Sequence, residues 1–283
     1  MKILITGARG QLGQAVSKEF ARFKVIKTDI DNMDITDPKK VSLVFAKTKP
    51  NIVVHCAAYI DVEKAESEKG LCRKVNVEGT ENVAKEAAGQ GAVFIYISTD
   101  YVFDGKKKRP YEENDEPNPL NVYAKTKLEG EKIVQKICPK HYILRSSWIF
   151  GGRNSKGNFI EKAIALAKDA KPVKMVSDQI GSPTYTKDLA EIIRKMVVNS
   201  DAMPPCGIYH FSADGECSRF DLTKEIYRQT KIEKEIIPVK SSEFLTKAER
   251  PNYSYLDKSK IQNTLKIKVR PWQKMLADYL KIK

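Results

Sequence analysis

The chain has 283 residues, of which 41% are hydrophobic and 30% are charged, with 15 Gly and 13 Pro. This length excludes a disulfide-stapled miniprotein, and the composition excludes a disordered or collagen-like chain. The formal net charge of +14 attracts polyanions, but no interleaving of basic and aromatic residues indicates a nucleic-acid surface. We therefore expect a folded protein with a solvated basic surface and no nucleic-acid partner.

Cysteine and histidine usage argues against structural zinc and against a disulfide framework. The five cysteines are odd in number, contain no C-x-x-C pair, and share the chain with three histidines. The apolar run at the N-terminus is too short for a signal peptide or a membrane span. These features predict a cytoplasmic protein with no membrane partner and no metal ligand set.

The first half of the chain alternates short apolar runs with helical patterns, which is typical of repeated βαβ units around a parallel sheet. The runs predict strands at Lys2–Thr6, Lys24–Thr28, Ile52–Cys56, Val93–Ser98 and Tyr142–Ser146. The intervening spacing predicts helices over 11–22, 37–48, 70–90 and 121–137. The predicted fold class is therefore α/β, with a Rossmann-like doubly wound parallel sheet.

After about residue 150 the pattern loosens, because glycine and proline pairs interrupt it. Helices are predicted near 158–169, 186–199, 218–230 and 271–281. We expect a dinucleotide-binding domain over 1–150 and a smaller mixed α+β substrate-binding region over 151–283, with the chain returning to the first domain around 185–213. A cleft should form between the two.

A glycine-rich loop follows the first predicted strand and opens a helix. Its spacing is G-x-x-G-x-x-G, from Gly7 through Gly10 to Gly13, with Gln11 and Leu12 between the last two. Glycines at such a loop let backbone N–H groups approach a pyrophosphate at the helix N-terminus. The alternative is a turn without a ligand, but the strand–turn–helix context favours a dinucleotide site.

The type of dinucleotide is left open by two charged residues. Asp29 lies 22 residues after Gly7, at the end of the second strand, where a carboxylate can accept the ribose hydroxyls and disfavour a 2′-phosphate. Arg9 lies inside the glycine loop and could pair with such a phosphate. Asp29 could also serve only as a turn cap. The sequence therefore allows NADH or NADPH.

A Tyr and a Lys four residues apart on a helix share one face, so the Lys can lower the pKa of the phenol and make it a usable acid. Three pairs fit this pattern, namely Tyr123/Lys127, Tyr227/Lys231 and Tyr279/Lys283. Only Tyr123 follows a strand that ends in Ser98-Thr99-Asp100 and could bring a hydroxyl to the sheet edge. Tyr123 is therefore the candidate acid.

These motifs resemble the extended short-chain dehydrogenases and reductases, and within them the dTDP-4-dehydrorhamnose reductase family. The resemblance extends over almost the whole chain through segments 98–105 (STDYVFDG), 123–131 (YAKTKLEGE), 145–151 (RSSWIFG), 178–184 (DQIGSPT) and 250–254 (RPNYS). It implies a reductase that delivers hydride from NAD(P)H to the C4 ketone of dTDP-4-dehydro-L-rhamnose, giving dTDP-L-rhamnose for polysaccharide biosynthesis.

The resemblance also implies roles for particular residues. Tyr123 would protonate the developing alkoxide, Lys127 would hold the nicotinamide ribose, and Thr99 would hydrogen-bond the carbonyl oxygen. Asp100 and Trp148 would contact the sugar nucleotide, although either could instead be purely structural. The residues that would line the dinucleotide are Gly10, Gln11, Leu12, Asp29, Asp34, Ile35, Ala57, Ala58 and Tyr59.

Two other functions are alternatives to this one. Sugar-nucleotide dehydratases of the same superfamily carry Glu where this chain has Tyr101, and a phenol cannot replace a carboxylate base at neutral pH. The regulatory subunit of methionine adenosyltransferase uses a similar fold without catalysis, but the intact Thr99, Tyr123 and Lys127 favour an enzyme. The resemblance further implies a homodimer, and relatives with Mg²⁺ at the dimer contact, although no carboxylate cluster places a metal here.

Overall fold

The computed structural model describes residues 1–152, 157–198 and 203–281. Its centre is a six-stranded sheet in the order β10-β5-β4-β3-β1-β2, in which every neighbouring pair is parallel. The strands are β1 (Lys2–Thr6), β2 (Lys24–Lys27), β3 (Ile52–His55), β4 (Val93–Thr99), β5 (His141–Ser146) and β10 (Gly207–His210). All five strands predicted from the sequence are confirmed, with ends that agree to within one residue.

Helices cover both faces of this sheet, so the α/β doubly wound prediction is confirmed. Successive residues of β1 show the division: Ile3 and Ile5 belong to one buried cluster, and Leu4 belongs to another. The first cluster lies under α1 (Gln11–Glu19) and α8 (Thr186–Val198), which pack on each other. The second lies under three helices, which are α2 (Pro38–Thr48), α5 (Thr80–Gly89) and α6 (Val122–Ile137). Near-continuous apolar strands are what burial on both faces requires.

The helix predicted over 70–90 has a π-helical turn in it. It consists of α4 (Lys69–Arg73), a π-helical segment at Lys74–Gly79, and then α5; a short α3 (Val62–Ala65) precedes it. Within the π-helical segment, the Asn76 side chain accepts the Tyr59 N–H at 2.8 Å and donates to the Tyr59 carbonyl at 3.1 Å. The extra residue in this turn thus points a buried amide at the loop after β3, and π-turns are frequent at functional sites.

The rest of the chain forms a smaller mixed α+β region. Its helices are α7 (Phe159–Leu166), α9 (Arg219–Thr230), α10 (Ser259–Leu265) and α11 (Trp272–Lys281). Its strands pair as β6 (Ile149–Phe150) with β9 (Thr184–Tyr185), β7 (Val173–Val176) with β12 (Ile236–Val239), and β8 (Ile180–Gly181) with β11 (Cys217–Ser218). The four predicted helices are present, although residue 199 lies outside the described residues. The sequence did not predict α10 or the short strands.

Two histidines lie in the core without charge. His55 is 1% exposed, and its ring nitrogens face the Thr6 hydroxyl at 2.9 Å and the Thr80 hydroxyl at 3.2 Å. His210 is 0% exposed, with Nδ1 3.0 Å from the Tyr111 carbonyl oxygen. Burial lowers the pKa of each ring to about 3, and both are therefore neutral at physiological pH.

We expect these histidines to make the fold sensitive to acid. The ordinary pKa of histidine is 6.5, so both rings are protonated in the unfolded chain below that pH. In the folded chain they stay neutral until the pH falls to about 3, and the unfolded state therefore binds more protons in this range. Stability is therefore lost as pH falls through this window, by up to about 1.4 kcal/mol per pH unit for each ring. Urea unfolding at a series of pH values measures this loss. In a His210→Asn variant the unfolding free energy should change less steeply with pH, by the contribution of one histidine. The same slope in the variant and the wild type would contradict the prediction.

Candidate active site

The glycine-rich loop joins β1 to α1 in a conformation that side chains would disturb. Gly7 has φ of +60°, and a Cβ on it would lie 2.8 Å from the backbone nitrogen of Ala57. A Cβ on Gly13 would lie 2.2 Å from the Gly7 carbonyl oxygen. Gly10 is the N-cap of α1 and offers no side-chain acceptor to the first helical N–H groups. The helix therefore begins with backbone donors that suit a phosphate.

A Gly13→Ala variant should lose cofactor affinity because the loop cannot accommodate the added methyl group. We expect the NADPH Kd to rise at least about tenfold and the free energy of unfolding to fall by about 1–3 kcal/mol. Fluorescence titration and urea unfolding measure the two effects. Gly89→Ala is the matched control, since no atom lies within 4 Å of a Cβ there. Equal NADPH affinity in both variants would contradict the prediction.

Asp29 and Arg9 face each other at the adjacent strand end. The Asp29 carboxylate accepts the Arg9 backbone N–H at 2.9 Å, and the Arg9 guanidinium contacts Asp29 at 3.3 Å and Asp31 at 2.9 Å. Partial burial opposes ionisation of Asp29, but the N–H groups of Arg9 and Ile30 outweigh it and hold the pKa of Asp29 below its ordinary value. Asp29 thus serves as a turn cap and also presents a carboxylate to the cleft.

The loop after β3 forms the next part of the wall. The Ala57 N–H donates to the Thr6 hydroxyl at 3.1 Å, and the Tyr59 backbone is held by Asn76 as described above. The Tyr59 phenol donates to Glu68 at 2.7 Å. These contacts fix a backbone segment beside the glycine-rich loop, where the sequence placed Ala57, Ala58 and Tyr59.

Tyr123 and Lys127 lie one turn apart on α6, whose N-cap Asn121 accepts the Ala124 N–H at 2.9 Å. Burial raises the pKa of the Tyr123 phenol, and a hydrogen bond with the Thr99 hydroxyl offsets this only in part. Burial thus dominates the pKa of Tyr123 in the protein without ligand, and the lowering of this pKa by Lys127 stays a prediction. A phenol with a raised pKa keeps its proton at neutral pH, which is the state that an acid needs.

Lys127 is 3% exposed and has an aromatic partner. Its ammonium lies 4.0 Å from the centre of the Tyr96 ring, and the Tyr96 phenol donates to the Lys127 carbonyl at 3.2 Å. Burial lowers the pKa of Lys127 to about 7, although the nearby Glu131 carboxylate opposes this shift. The ring and the carboxylate together hold the ammonium on the side of α6 that faces the cleft.

Thr99 and Asp100 end β4 at the same edge. The Thr99 hydroxyl donates to Asp100 at 3.2 Å, and Asp100 also accepts the Ser254 hydroxyl at 2.6 Å. Asp100 is 2% exposed, and burial raises its pKa to about 7 against these hydrogen bonds. Asp100 therefore connects the strand end to the smaller region of the chain.

Trp148 is held in an unusual backbone conformation. Its φ is +45°, and its indole packs so closely on Gly181 that a Cβ there would lie 2.8 Å from the ring. The Arg219 guanidinium lies 3.7 Å from the centre of the Trp148 ring. Trp148 packs against the core with part of its surface and also lines the cleft, so the structure leaves both its predicted role and the structural alternative in place.

These elements enclose one cleft of about 840 Å³. It is lined by all of the residues predicted to bind or react, which are Gly7, Gly10, Gln11, Leu12, Gly13, Asp29, Asp34, Ile35, Ala57, Ala58, Tyr59, Thr99, Asp100, Tyr123, Lys127 and Trp148. The sequence did not predict the other polar members of the wall, notably Arg219 and Ser146. Ser146 ends a predicted strand and lies in the segment RSSWIFG, so its place at the sheet edge could have been predicted, whereas no motif marks Arg219.

Two buried polar atoms in the cleft wall test whether a polar ligand fits. Gln11 Oε1 and Ser146 Oγ have no hydrogen-bond partner within the described parts of the chain. Unsatisfied buried polar atoms are rare in folded proteins, and these two line the cleft, where a polar ligand could complete them. The glycine-rich loop, the carboxylate of Asp29 and these two atoms together fit a dinucleotide.

Residues 1–152, 157–198 and 203–281 hold neither a metal-binding cluster nor a membrane-spanning helix. These residues contain no group of three or more His, Cys, Asp or Glu side chains placed to hold a metal ion. No helix among them is long and apolar enough to cross a membrane. Lys283, the partner of Tyr279 in the third Y-x-x-x-K pair, lies outside the described residues.

Comparison with known proteins decides the family. The family model described as "RmlD substrate binding domain" matches residues 1–283. The chain belongs to the dTDP-4-dehydrorhamnose reductase family. The crystal structure of such a reductase from Clostridium acetobutylicum has a TM-score of 0.94 and 41% identity, covering 100% of this chain and 99% of its own.

Two further members of this comparison are informative. The reductase from Bacillus anthracis, solved in complex with NADP, has a TM-score of 0.94 and 35% identity, with 100% of this chain and 99% of its own covered. The spore coat polysaccharide biosynthesis protein SpsK of Bacillus subtilis is 38% identical over 99% of this chain and 96% of its own length. The resemblance to this reductase family that the motifs indicated is confirmed.

Proposed function

We propose that this protein reduces the C4 ketone of dTDP-4-dehydro-L-rhamnose to dTDP-L-rhamnose with NADPH or NADH. The observation that carries the proposal is the meeting of Thr99, Tyr123 and Lys127 with the glycine-rich loop in one cleft. Family membership supports it, since relatives that align over nearly their whole length are named for this reaction.

The cleft residues divide the work of ketone reduction. The bound nicotinamide supplies the hydride. The Tyr123 phenol donates its proton to the oxygen at C4 as negative charge grows there, and the Thr99 hydroxyl donates a hydrogen bond to the same oxygen. Lys127 places a positive charge next to the phenolate left after transfer, so the charge that Tyr123 acquires is stabilised inside a buried site.

The dinucleotide would be held by the glycine-rich loop at its pyrophosphate and by the loop after β3 along its length. Asp29 would accept hydroxyls of the adenosine ribose, which suits NADH. The Arg9 guanidinium lies against Asp29 and Asp31 on an exposed surface, where a 2′-phosphate could take over its hydrogen bonds. We therefore propose that the protein accepts both cofactors.

Turnover of enzymatically prepared dTDP-4-dehydro-L-rhamnose tests the proposal. The wild-type protein should oxidise NADPH or NADH in step with the appearance of dTDP-L-rhamnose, as followed by absorbance and product chromatography. Bound cofactor that is never oxidised by any dTDP-keto sugar would refute the enzyme and favour a regulatory binding protein.

We also propose four finer features that follow from the sequence. They are the homodimer, the cytoplasmic location, the Mg²⁺ at a dimer contact and the division of the chain at about residue 150. Light scattering of the purified protein, with and without Mg²⁺ and EDTA, tests the dimer and the metal together.

A further inference from the structure

Arg219 is the first residue of α9 and reaches into the cleft from the smaller region of the chain. Its guanidinium lies 3.7 Å from the centre of the Trp148 ring and 4.7 Å from that of Phe159. The phenol of Tyr101 lies near enough to favour its charged form. Three aromatic side chains therefore fix this cation in place.

Within the described residues Arg219 forms no ion pair with a carboxylate, although Asp100 lies near enough to favour its charge. The other two cations of the cleft wall are engaged, since Arg9 pairs with Asp29 and Asp31 and Lys127 lies over Tyr96. Burial lowers the pKa of Arg219, but an arginine still carries its charge at neutral pH. A partly buried guanidinium without an ion pair has lost part of its hydration, and no carboxylate contact replaces that loss. An anionic ligand would therefore stabilise it.

The packing of Arg219 also determines which anion it suits. Aromatic rings cover the flat faces of a guanidinium, whereas its N–H donors point outward in the plane. A planar edge of N–H donors matches two oxygens of a phosphate or diphosphate better than any neutral hydroxyl. The sugar hydroxyls expected beside Trp148 and Asp100 are neutral, so a full positive charge is not needed to bind them.

We propose that Arg219 binds the diphosphate of the sugar-nucleotide substrate. This inference rests on the proposed function, because it assigns the substrate's charged part to a place in the same cleft. The cofactor's pyrophosphate would be held at the glycine-rich loop between β1 and α1, whereas Arg219 lies over Trp148 and near Asp100, the two residues assigned to the sugar nucleotide. The ligand class that this position selects is a nucleoside diphosphate.

A binding assay with dTDP and thymidine separates the diphosphate from the base. Calorimetric titrations are made in the presence of NADP for the wild type, Arg219→Gln and the control Arg228→Gln. Arg228 lies on the same helix, is 70% exposed and pairs with Glu225. We expect Arg219→Gln to weaken dTDP binding by about 10- to 100-fold and to leave thymidine and NADP binding within about twofold. The control should match the wild type.

Three results would overturn the assignment. They are unchanged dTDP affinity in Arg219→Gln, an equal loss for dTDP and thymidine, or an equal loss for NADP. A measurement on the wild type alone covers the case of a variant that does not fold. There dTDP should bind at least about tenfold more tightly than thymidine, and the difference should shrink with added salt. Equal affinities would exclude a diphosphate subsite.

The assay also separates failure of this inference from failure of the proposed reaction. If the protein binds dTDP through Arg219 but reduces no dTDP-keto sugar, the diphosphate subsite stands and the proposed reaction is refuted. If the wild type reduces the ketone and Arg219→Gln binds dTDP as tightly as the wild type, the reaction stands and the subsite is refuted.

Discussion

A Tyr123→Phe variant should lower kcat by about 10²- to 10⁴-fold, the usual contribution of a positioned acid. The variant removes one oxygen from a half-buried ring whose raised pKa keeps its proton on the phenol at neutral pH. Thr99 would still donate a hydrogen bond to the C4 oxygen, so a residual rate should persist. The NADPH Kd should stay within about twofold of the wild type, because the phenol contributes little to the pyrophosphate site. Steady-state turnover and fluorescence titration measure the two quantities.

The chain contains a matched control for this experiment. Tyr227 also begins a Y-x-x-x-K pair, but its phenol donates to the Ala163 carbonyl at 2.7 Å within the core. A Tyr227→Phe variant should lose about 1 kcal/mol of stability and keep its kcat. Similar kcat losses in both variants would show that a general disturbance, and not a lost proton donor, slows the Tyr123 variant.

The three Y-x-x-x-K pairs illustrate how far the sequence identifies the site. Spacing alone could not separate them, whereas the strand that ends at Thr99 did, because the carboxyl ends of parallel strands share one edge. In the structure the Tyr227 phenol contacts Ala163, and the Tyr279 phenol donates to Glu161 at 2.5 Å. Local pattern and topology together therefore predicted that the turn of Tyr123 and Lys127 meets the glycine-rich loop in one cleft, and they predicted the sheet.

The rest of the site depends on contacts between distant segments. Arg219 meets Trp148 across 71 positions of the chain, and Ser254 meets Asp100 across 154. No periodicity or turn signal links such pairs, and two-residue strands such as β8 and β11 are too short to show an alternating pattern. The contact of Lys127 with the Tyr96 ring could not be predicted either, because a tyrosine in a buried strand is typical of any core.

The second large effect concerns the ion pair of Glu131 and Arg145. These side chains are 1% and 2% exposed, and they meet at 2.7 Å through Arg145 Nη2 and at 3.0 Å through Nε. The Ser98 hydroxyl also donates to Glu131. An Arg145→Met variant leaves the Glu131 carboxylate buried without its cation, and we expect it to lose about 3–5 kcal/mol of unfolding free energy. Urea unfolding at neutral pH measures the loss.

The paired variant shows whether the loss comes from a stranded charge or from missing packing. Glu131→Leu combined with Arg145→Met removes both charges and should recover most of the stability, since apolar pairs often replace buried ion pairs at little cost. A double variant as unstable as the sum of the single ones would contradict the coupling. Glu131 also opposes the lowering of the Lys127 pKa by burial. The double variant should therefore fold well, but the pKa of Lys127 should fall below the value of about 7 that it has in the wild type. The part of the pH–rate profile that reports Lys127 should move to lower pH by the same shift.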